Sequence, residues 1–357
     1  MLIIWPIFYG VLYGSVYSKG KLIELPIIVV DQDNTATSAD LIDMLEQTEL
    51  LRIKEIKPEA VGINKTFIGE AAYAVVDIPV DFEAKVMQGK SPEVNTYINN
   101  VNLLPSGYVN RTIASVVATL NAKKTSAMGL PLAALHLNTY RLFNPSGTYF
   151  LFAWPSYLFL VLEAVVMVVF ALSFAAEQEN GTLGSLYLQA GNSVPLMLAG
   201  KLIPYLLLSL VSMLVYIIYF YLFRQPYPTH VLALLWSNAI FVIACALIGI
   251  IVGTLVKEQL KSLQALMILS MPIYIASGFS WPYDQQGGQL AQWFSKLFPY
   301  MPSVNALHIL LIEQGGFADI QKYLKMQYIQ VLVYFILAIV TIRLLVQSVT
   351  TQTKSLN

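Results

Sequence analysis

Long apolar stretches, separated by one polar region, organise this chain. Residues 1–18, 148–176, 202–223, 231–256, 262–283 and 326–342 carry one charge among them, Glu163. A helix needs about 20 mostly apolar residues to cross a bilayer. The first stretch is short and holds Pro6, Gly10 and Gly14; without a basic start or a small-x-small cleavage site, it reads as a span rather than a signal peptide. In the fifth, Pro272 and Gly278 are placed to break the helix before its end. Arg343 can lengthen the sixth by snorkelling. The pattern predicts an α-helical polytopic membrane protein with six transmembrane helices and both ends on one side.

Between the first two spans, residues 19–147 read as an inserted α/β domain. Pro26-Ile27-Ile28-Val29-Val30-Asp31 suits a buried strand. Asp33-Asn34-Thr35 supplies turn chemistry, and Thr37 or Ser38 can cap a helix running to about Leu50 with Leu41, Met44 and Leu45 on one face. Further strands are expected at 51–56, 72–78 and 94–98, a helix at 58–69, and a largely helical return over 104–137. Gly89-Lys90-Ser91 has the ending of a phosphate-binding loop, but Ala84 stands where that loop needs its first glycine and a helical segment precedes it. ATP binding by this chain is therefore not expected.

Composition narrows the class. Of the 357 residues 57% are hydrophobic and 12% charged, against about 25% charged in soluble domains. Of the 42 charges, 26 fall between Lys19 and Arg141, which excludes a single soluble domain. Net charge is zero, so no basic surface for nucleic acid follows. The lone cysteine, Cys245, lies in an apolar run and can form neither an intrachain disulfide nor a cysteine-based zinc site. His136, His230 and His308 have no carboxylate or cysteine at ligand spacing, and no nucleophile-and-base arrangement can be placed. Among short segments, Lys201, Lys257, Lys261, Arg343 and Lys354 oppose Arg224, Lys296, Lys322 and Lys325, so charge leaves the orientation open.

Three places carry candidate chemistry. Glu163 falls near the middle of the second stretch, where an ionised side chain is costly unless paired or hydrated. It reads either as a polar point on a substrate path or subunit interface, or as a glutamate kept protonated or nearer the surface. After that stretch comes Glu177-Gln178-Glu179-Asn180-Gly181-Thr182-Leu183, then a short amphipathic segment to Leu188, closed by Gly191, Asn192 and Pro195 before Lys201. A surface helix bracketed by two spans can be gripped by another protein and transmit movement to both. Many membrane loops also contain such helices with no such role. Third, Ser277-Gly278-Phe279-Ser280-Trp281-Pro282-Tyr283, with Trp293, Phe294, Phe298-Pro299-Tyr300 and Pro302, reads as proline-punctuated short helices dipping into the outer leaflet, or as an aromatic belt on a loop.

These segments resemble a type-2 ABC exporter permease of the branch with a large extracytoplasmic domain after the first span. Leu25-Pro26-Ile27-Ile28-Val29-Val30-Asp31-Gln32-Asp33-Asn34 is similar to that family's first strand and turn. Glu177-x-Glu179-x-Gly181-Thr182-Leu183, with Gly200-Lys201-Leu202-Ile203-Pro204-Tyr205, resembles its coupling-helix region. Ser277-Gly278-Phe279-x-Trp281-Pro282 through Phe298-Pro299-x-Met301-Pro302 resembles the segment before its last span. The resemblance implies a half-transporter in the bacterial cytoplasmic (inner) membrane with both termini inside. It pairs with a second permease, identical or related, and with two ABC ATP-binding subunits, and leaves room for a periplasmic adaptor. ATP and magnesium would sit in the partner ATPase, with no cofactor in this chain. Glu177, Glu179, Gly181, Thr182 and Leu183 would form the ATPase contact. Gly278, Phe279, Trp281, Pro282, Phe298 and Pro299 would belong to the outer gate, whose short helices lie near 280–325. The boundaries implied are span one at 1–18, the extracytoplasmic domain at 19–147, spans two to six over 148–347 with the coupling helix near 177–188, and a cytoplasmic tail at 348–357. The family usually carries a basic amphipathic helix before the first span; here the first apolar stretch begins at Met1, so either the start is shortened or that connector is absent.

The expected function is ATP-driven export of a hydrophobic or amphipathic substrate by a subunit that is not itself an enzyme. The alternative is a non-transporting receptor or assembly platform acting through its extracytoplasmic domain, which leaves the polar segment at 177–188 without a role.

Overall fold

The β-branched run at 26–30 forms the centre of a five-stranded sheet in the computed structural model. The structure describes residues 11–12, 16–17, 21–59, 62–63, 67, 72–128, 135–222 and 227–355. Most of the first expected span and of the helix expected at 58–69 lies outside these residues.

Strands β1 (Leu25–Asp31), β2 (Leu51–Lys57), β3 (Ala74–Ile78), β4 (Glu93–Asn99) and β5 (His136–Leu142) are ordered β2-β1-β3-β4-β5. β1 runs parallel to β2 and β3, pairing Val29 with Val76; β3 and β4 are antiparallel, and β4 and β5 parallel. Ile27 to Val30 and all of β3 are buried, as a strand covered on both faces requires. Helices α1 (Ala36–Glu46), α2 (Phe82–Met87) and α3 (Leu103–Met128) belong to this unit. Val109, Ile113, Val116, Val117 and Leu120 form the buried stripe of α3.

Three expectations need correction here. The α1 cap is Thr35, whose hydroxyl accepts from Ser38 N while Ser38 Oγ accepts from Thr35 N, so Ser38 is the other half of a capping box. Thr37 is occupied elsewhere, by Glu83. The helix stops at Glu46, and Thr48 Oγ1 donates to the Leu45 carbonyl at its end. The return over 104–137 is helical only to Met128, and His136–Leu142 is a fifth strand. That strand is a half-exposed polar edge, held by its ladder to β4, by Asn138 bonding Asn95 and by Tyr140 stacking on Tyr97 at 5.0 Å. No apolar alternation marks it. Gly89, with φ +67°, closes α2 in a Schellman turn, with Lys90 N bonded to Lys85 O. The order there is helix, turn, strand, the reverse of a phosphate loop.

The second unit contains residues 154–357 together with 1–18. Its elements are α4 (Tyr149–Glu179), α5 (Leu183–Gln189), α6 (Val194–Leu222), α7 (Val231–Val256), α8 (Gln259–Ala276), a 3-10 turn at Tyr283–Gln285, α9 (Gln289–Leu297), α10 (Tyr300–Leu311) and α11 (Gln321–Ser355). Among the described residues three helices are long and apolar enough to cross a membrane: α4, α7, and α11 as far as Gln347. α5 with the start of α6 makes a fourth when taken as one span bent by 96°.

Contacts along the helices set their directions. Phe159 stacks on Phe241, Met167 abuts Gly249 and Ala171 abuts Gly253, so α4 and α7 run parallel at a constant offset. α6 runs back along α4, since Lys201 meets Glu177 while Tyr205 meets Phe170. α8 does the same, with Gln259 at Glu179 and Tyr274 at Tyr157. Trp236 meets Tyr328 near the starts of α7 and α11, and Ala246, Leu247 and Ile250 share a core with Ala338, Ile342 and Leu345 further along both. Chain direction therefore alternates through α4, α6, α7, α8 and α11.

Gly249 and Gly253 make the α4–α7 approach possible. A Cβ at either would lie 2.3 Å from a backbone carbonyl of α4. This is small-xxx-small packing, in which two backbones touch.

Candidate functional site

At one end of the helical unit the polar segment after α4 forms a rigid elbow. α4 ends in a Schellman turn: Thr182 N bonds Glu177 O at 2.9 Å and Gly181 N bonds Gln178 O at 3.2 Å. Gly181 takes φ +68°, open to glycine at little cost. α5 follows for seven residues and ends in the same device, Asn192 N to Tyr187 O at 3.0 Å, with Gly191 at φ +63°. The two turns lay α5 across the end of α6.

The elbow is tied to three other helices. Lys201 of α6 pairs with Glu177 at 3.0 Å, donates to Ser173 Oγ at 2.8 Å, and lies over the Phe174 ring at 4.8 Å. Glu179 accepts from the backbone N of Gln259 at 2.8 Å and from its side-chain amide, fixing the start of α8. Gln178 donates to Gly253 O of α7 at 2.9 Å. Thr182 Oγ1 donates to Glu177. Leu183, 2% exposed, anchors α5 in the core with Phe170, Phe174 and Ile342.

All five sequence-selected elbow residues thus come together, but their work differs. The carboxylates of Glu177 and Glu179 are engaged within the chain, and Leu183 is buried. Outward at helical spacing stand Gly181, Ser185, Leu188 and Asn192, with Leu188 67% exposed. The segment that carries this face is bonded to α6 through Lys201, to α7 through Gln178 and to α8 through Glu179. Sequence reasoning did not find Gln259 or the Gly249-x-x-x-Gly253 pair, although the glycine spacing inside an apolar stretch is a readable signal.

At the other end, α8 continues past Pro272 and stops at Ala276. Gly278 turns the chain at φ +92°, where a Cβ would crowd Tyr283. Phe279 packs against Tyr274 at 5.3 Å and Tyr157 at 6.1 Å. Trp281 donates to Gln285 O at 3.0 Å and meets Tyr17 edge-on, and Pro282 opens the 3-10 turn. Phe298 and Pro299 mark the break between α9 and α10, with Phe298 against Phe294 at 5.1 Å. Backbone carbonyls exposed by that break need donors, and α11 supplies them: Gln330 to Lys296 O and Phe298 O, Tyr334 to Leu297 O. Neither residue was singled out from sequence; a glutamine within an apolar span was the available signal. His308 bonds Ser156 Oγ at 2.8 Å.

Glu163 lies between these two ends on the buried face of α4, at 1% exposure. Neither carboxyl oxygen has a hydrogen-bond partner among the described residues. No group of three or more metal-ligating side chains occurs among the described residues.

The profile of the family described as "ABC-2 family transporter protein" matches residues 1–340. Among curated relatives, the chain is 19% identical to "Probable multidrug ABC transporter permease YbhR" of Escherichia coli (strain K12), over 79% of this chain and 77% of that one. It is 25% identical to "Probable multidrug ABC transporter permease YbhS" of the same strain, over 59% and 56% of the two chains. It is 19% identical to "ABC transporter G family member 20" of Dictyostelium discoideum, over 81% of this chain and 40% of that one.

Proposed function

Given that the chain belongs to the ABC-2 family of transporter proteins, we propose that it is the permease subunit of an exporter whose ATP is hydrolysed by separate ABC ATP-binding subunits. ATP and magnesium are bound in that partner. The permease works with a second permease, identical or related. Its six spans cross the bacterial inner membrane, with the elbow and the end of α11 inside and the α/β domain outside, within reach of a periplasmic adaptor. Alternation of chain direction through α4, α6, α7, α8 and α11 supports five of these crossings. α8, at 18 residues and about 27 Å, serves as one because its two ends are held at opposite ends of α4. The substrate is hydrophobic or amphipathic, in keeping with the multidrug designation of two relatives.

The elbow is the observation that carries this reading. α5 is the coupling helix: Ser185, Leu188 and Asn192 face the ATPase, while Glu177 and Glu179 transmit its movement to α6 and α8 rather than making the contact themselves. Gly278, Phe279, Trp281, Pro282, Phe298 and Pro299 shape the outer gate. Movement of the elbow biases a two-state bundle, so no chemistry is required within the membrane.

Purification of the chain from its native cells in mild detergent, after crosslinking, tests the proposal. An ATP-binding subunit is expected to accompany it. Gly181→Pro forces φ to about −65° where +68° is needed and removes the N–H that bonds Gln178 O. That variant is expected to insert and to lose ATP-dependent transport. Normal transport by it, or recovery of the chain with extracytoplasmic proteins alone, would overturn the assignment in favour of a receptor.

A further inference from the structure

Among the described residues, none donates a hydrogen bond to the Glu163 carboxyl group. Its level on α4 is flanked by contacts to α7: one turn away Phe159 stacks on Phe241 at 5.3 Å, and one turn the other way Met167 meets the backbone of Gly249. The α4–α7 offset places Cys245, fully buried, opposite it. Tyr300 of α10 bonds the carbonyl of Ser156, two turns before Glu163 on α4, and Tyr334 of α11 shares a core with Ala244 and Ala246, the neighbours of Cys245.

Both tyrosine hydroxyls have already committed their protons. Tyr300 donates to Ser156 O at 3.0 Å, and Tyr334 donates to Leu297 O at the α9–α10 break. An ionised Glu163 would then be a buried charge with no hydrogen bond, which costs several kcal/mol in such a setting. The neutral acid avoids that cost.

We propose that Glu163 is a proton-binding site of the permease, neutral while the α9–α10 hairpin is seated and deprotonated when the hairpin lifts and frees the Tyr334 hydroxyl of α11 to hold the carboxylate. The step balances: the Glu163 O–H breaks, its proton passes to water admitted by the movement, and the Tyr334 hydroxyl, released from the Leu297 carbonyl, turns to the new anion. Reseating the hairpin withdraws that donor, and the proton returns. The hairpin movement rests on the transporter reading above; the neutral acid does not.

Infrared spectroscopy of the full-length protein in lipid nanodiscs at neutral pH tests both halves. A buried carboxylic-acid C=O band is expected in wild type, lost in the near-isosteric Glu163→Gln and retained in Tyr334→Phe. Should Glu163→Gln fail to fold, Glu163→Asp is expected to move the band instead. With the co-purified ATPase and ATP in D₂O, exchange of that proton is expected to speed up at least tenfold, and Tyr334→Phe to blunt the increase. A wild-type spectrum matching Glu163→Gln in the acid region would show the group ionised and sink the proposal. A band whose exchange ignores ATP would sink the cycling half. If no ATPase binds, the transporter reading fails and the cycling half falls with it, while the band still decides the proton.

Discussion

Adding one methyl group at Gly253 should separate α4 from α7. The alanine Cβ would lie 2.3 Å from the Ala171 carbonyl oxygen, whereas ordinary contact begins at 3.4 Å, so the helices must part by about 1 Å. The obstacle is backbone, and no rotamer change relieves it. Overpacking of this kind costs about 1–3 kcal/mol. At about 2–4 °C per kcal/mol for a unit of some 200 residues, the apparent melting temperature falls by roughly 2–12 °C. Gly200→Ala is the control: nothing lies within 4 Å of its Cβ and it sits inside a helix. Relief of glycine's conformational freedom there should stabilise by about 0.5–1 kcal/mol. The chain supplies its own reporter, because Cys245 is its only cysteine, is fully buried, and lies two turns from Gly253 on α7. A thiol-reactive fluorophore added during a thermal ramp reads the temperature at which that packing opens. Equal midpoints for Gly253→Ala and Gly200→Ala would refute direct backbone contact between these helices.

Two further outcomes follow from particular contacts. Lys201→Met keeps the aliphatic stem over Phe174 but removes the bonds to Ser173 and Glu177, so ATP-dependent transport is expected to fall at least tenfold while the ATPase still co-purifies; unchanged transport would show that the elbow does not act through α6. In the polar unit, a hydrogen bond from Lys124 holds the Asp40 carboxyl below its ordinary range. The stabilisation is thus present above the unfolded value of about 3.9 and lost as pH falls through the lower folded value. For a pair this exposed it amounts to a few tenths of a kcal/mol. Asp40→Asn should therefore raise hydrogen exchange in residues 36–46 slightly at neutral pH and leave it equal to wild type near pH 2.

Much of the architecture was legible because its causes are local. The run at 26–30 made a strand, and the apolar stretch at 231–256 became α7 with the same limits. The elbow was legible from Gly181 and Gly191, since a left-handed residue after a helix is a property of two or three neighbouring residues. β5 was not legible, because a polar edge strand is decided by the ladder it joins. The role of Glu177 and Glu179 was not legible either. Two acids before a turn look outward-facing until Lys201 and Gln259, 24 and 80 residues away, are seen to hold them.

By itself the sequence determined that this is a membrane protein with one inserted polar domain, where most of its helices lie, and where the chain must turn. Hydrophobicity and backbone stereochemistry act over a few residues and can be read in order. Tertiary structure decided which helices run together and which polar groups find partners. Those depend on contacts between distant positions, such as the glycine pair of α7 against α4 and the α11 side chains that close the α9–α10 break. Glu163 belongs to both levels: its cost in an apolar span was visible from the residue alone, while the absence of a donor beside it, among the described residues, emerged only when four helices were assembled around it.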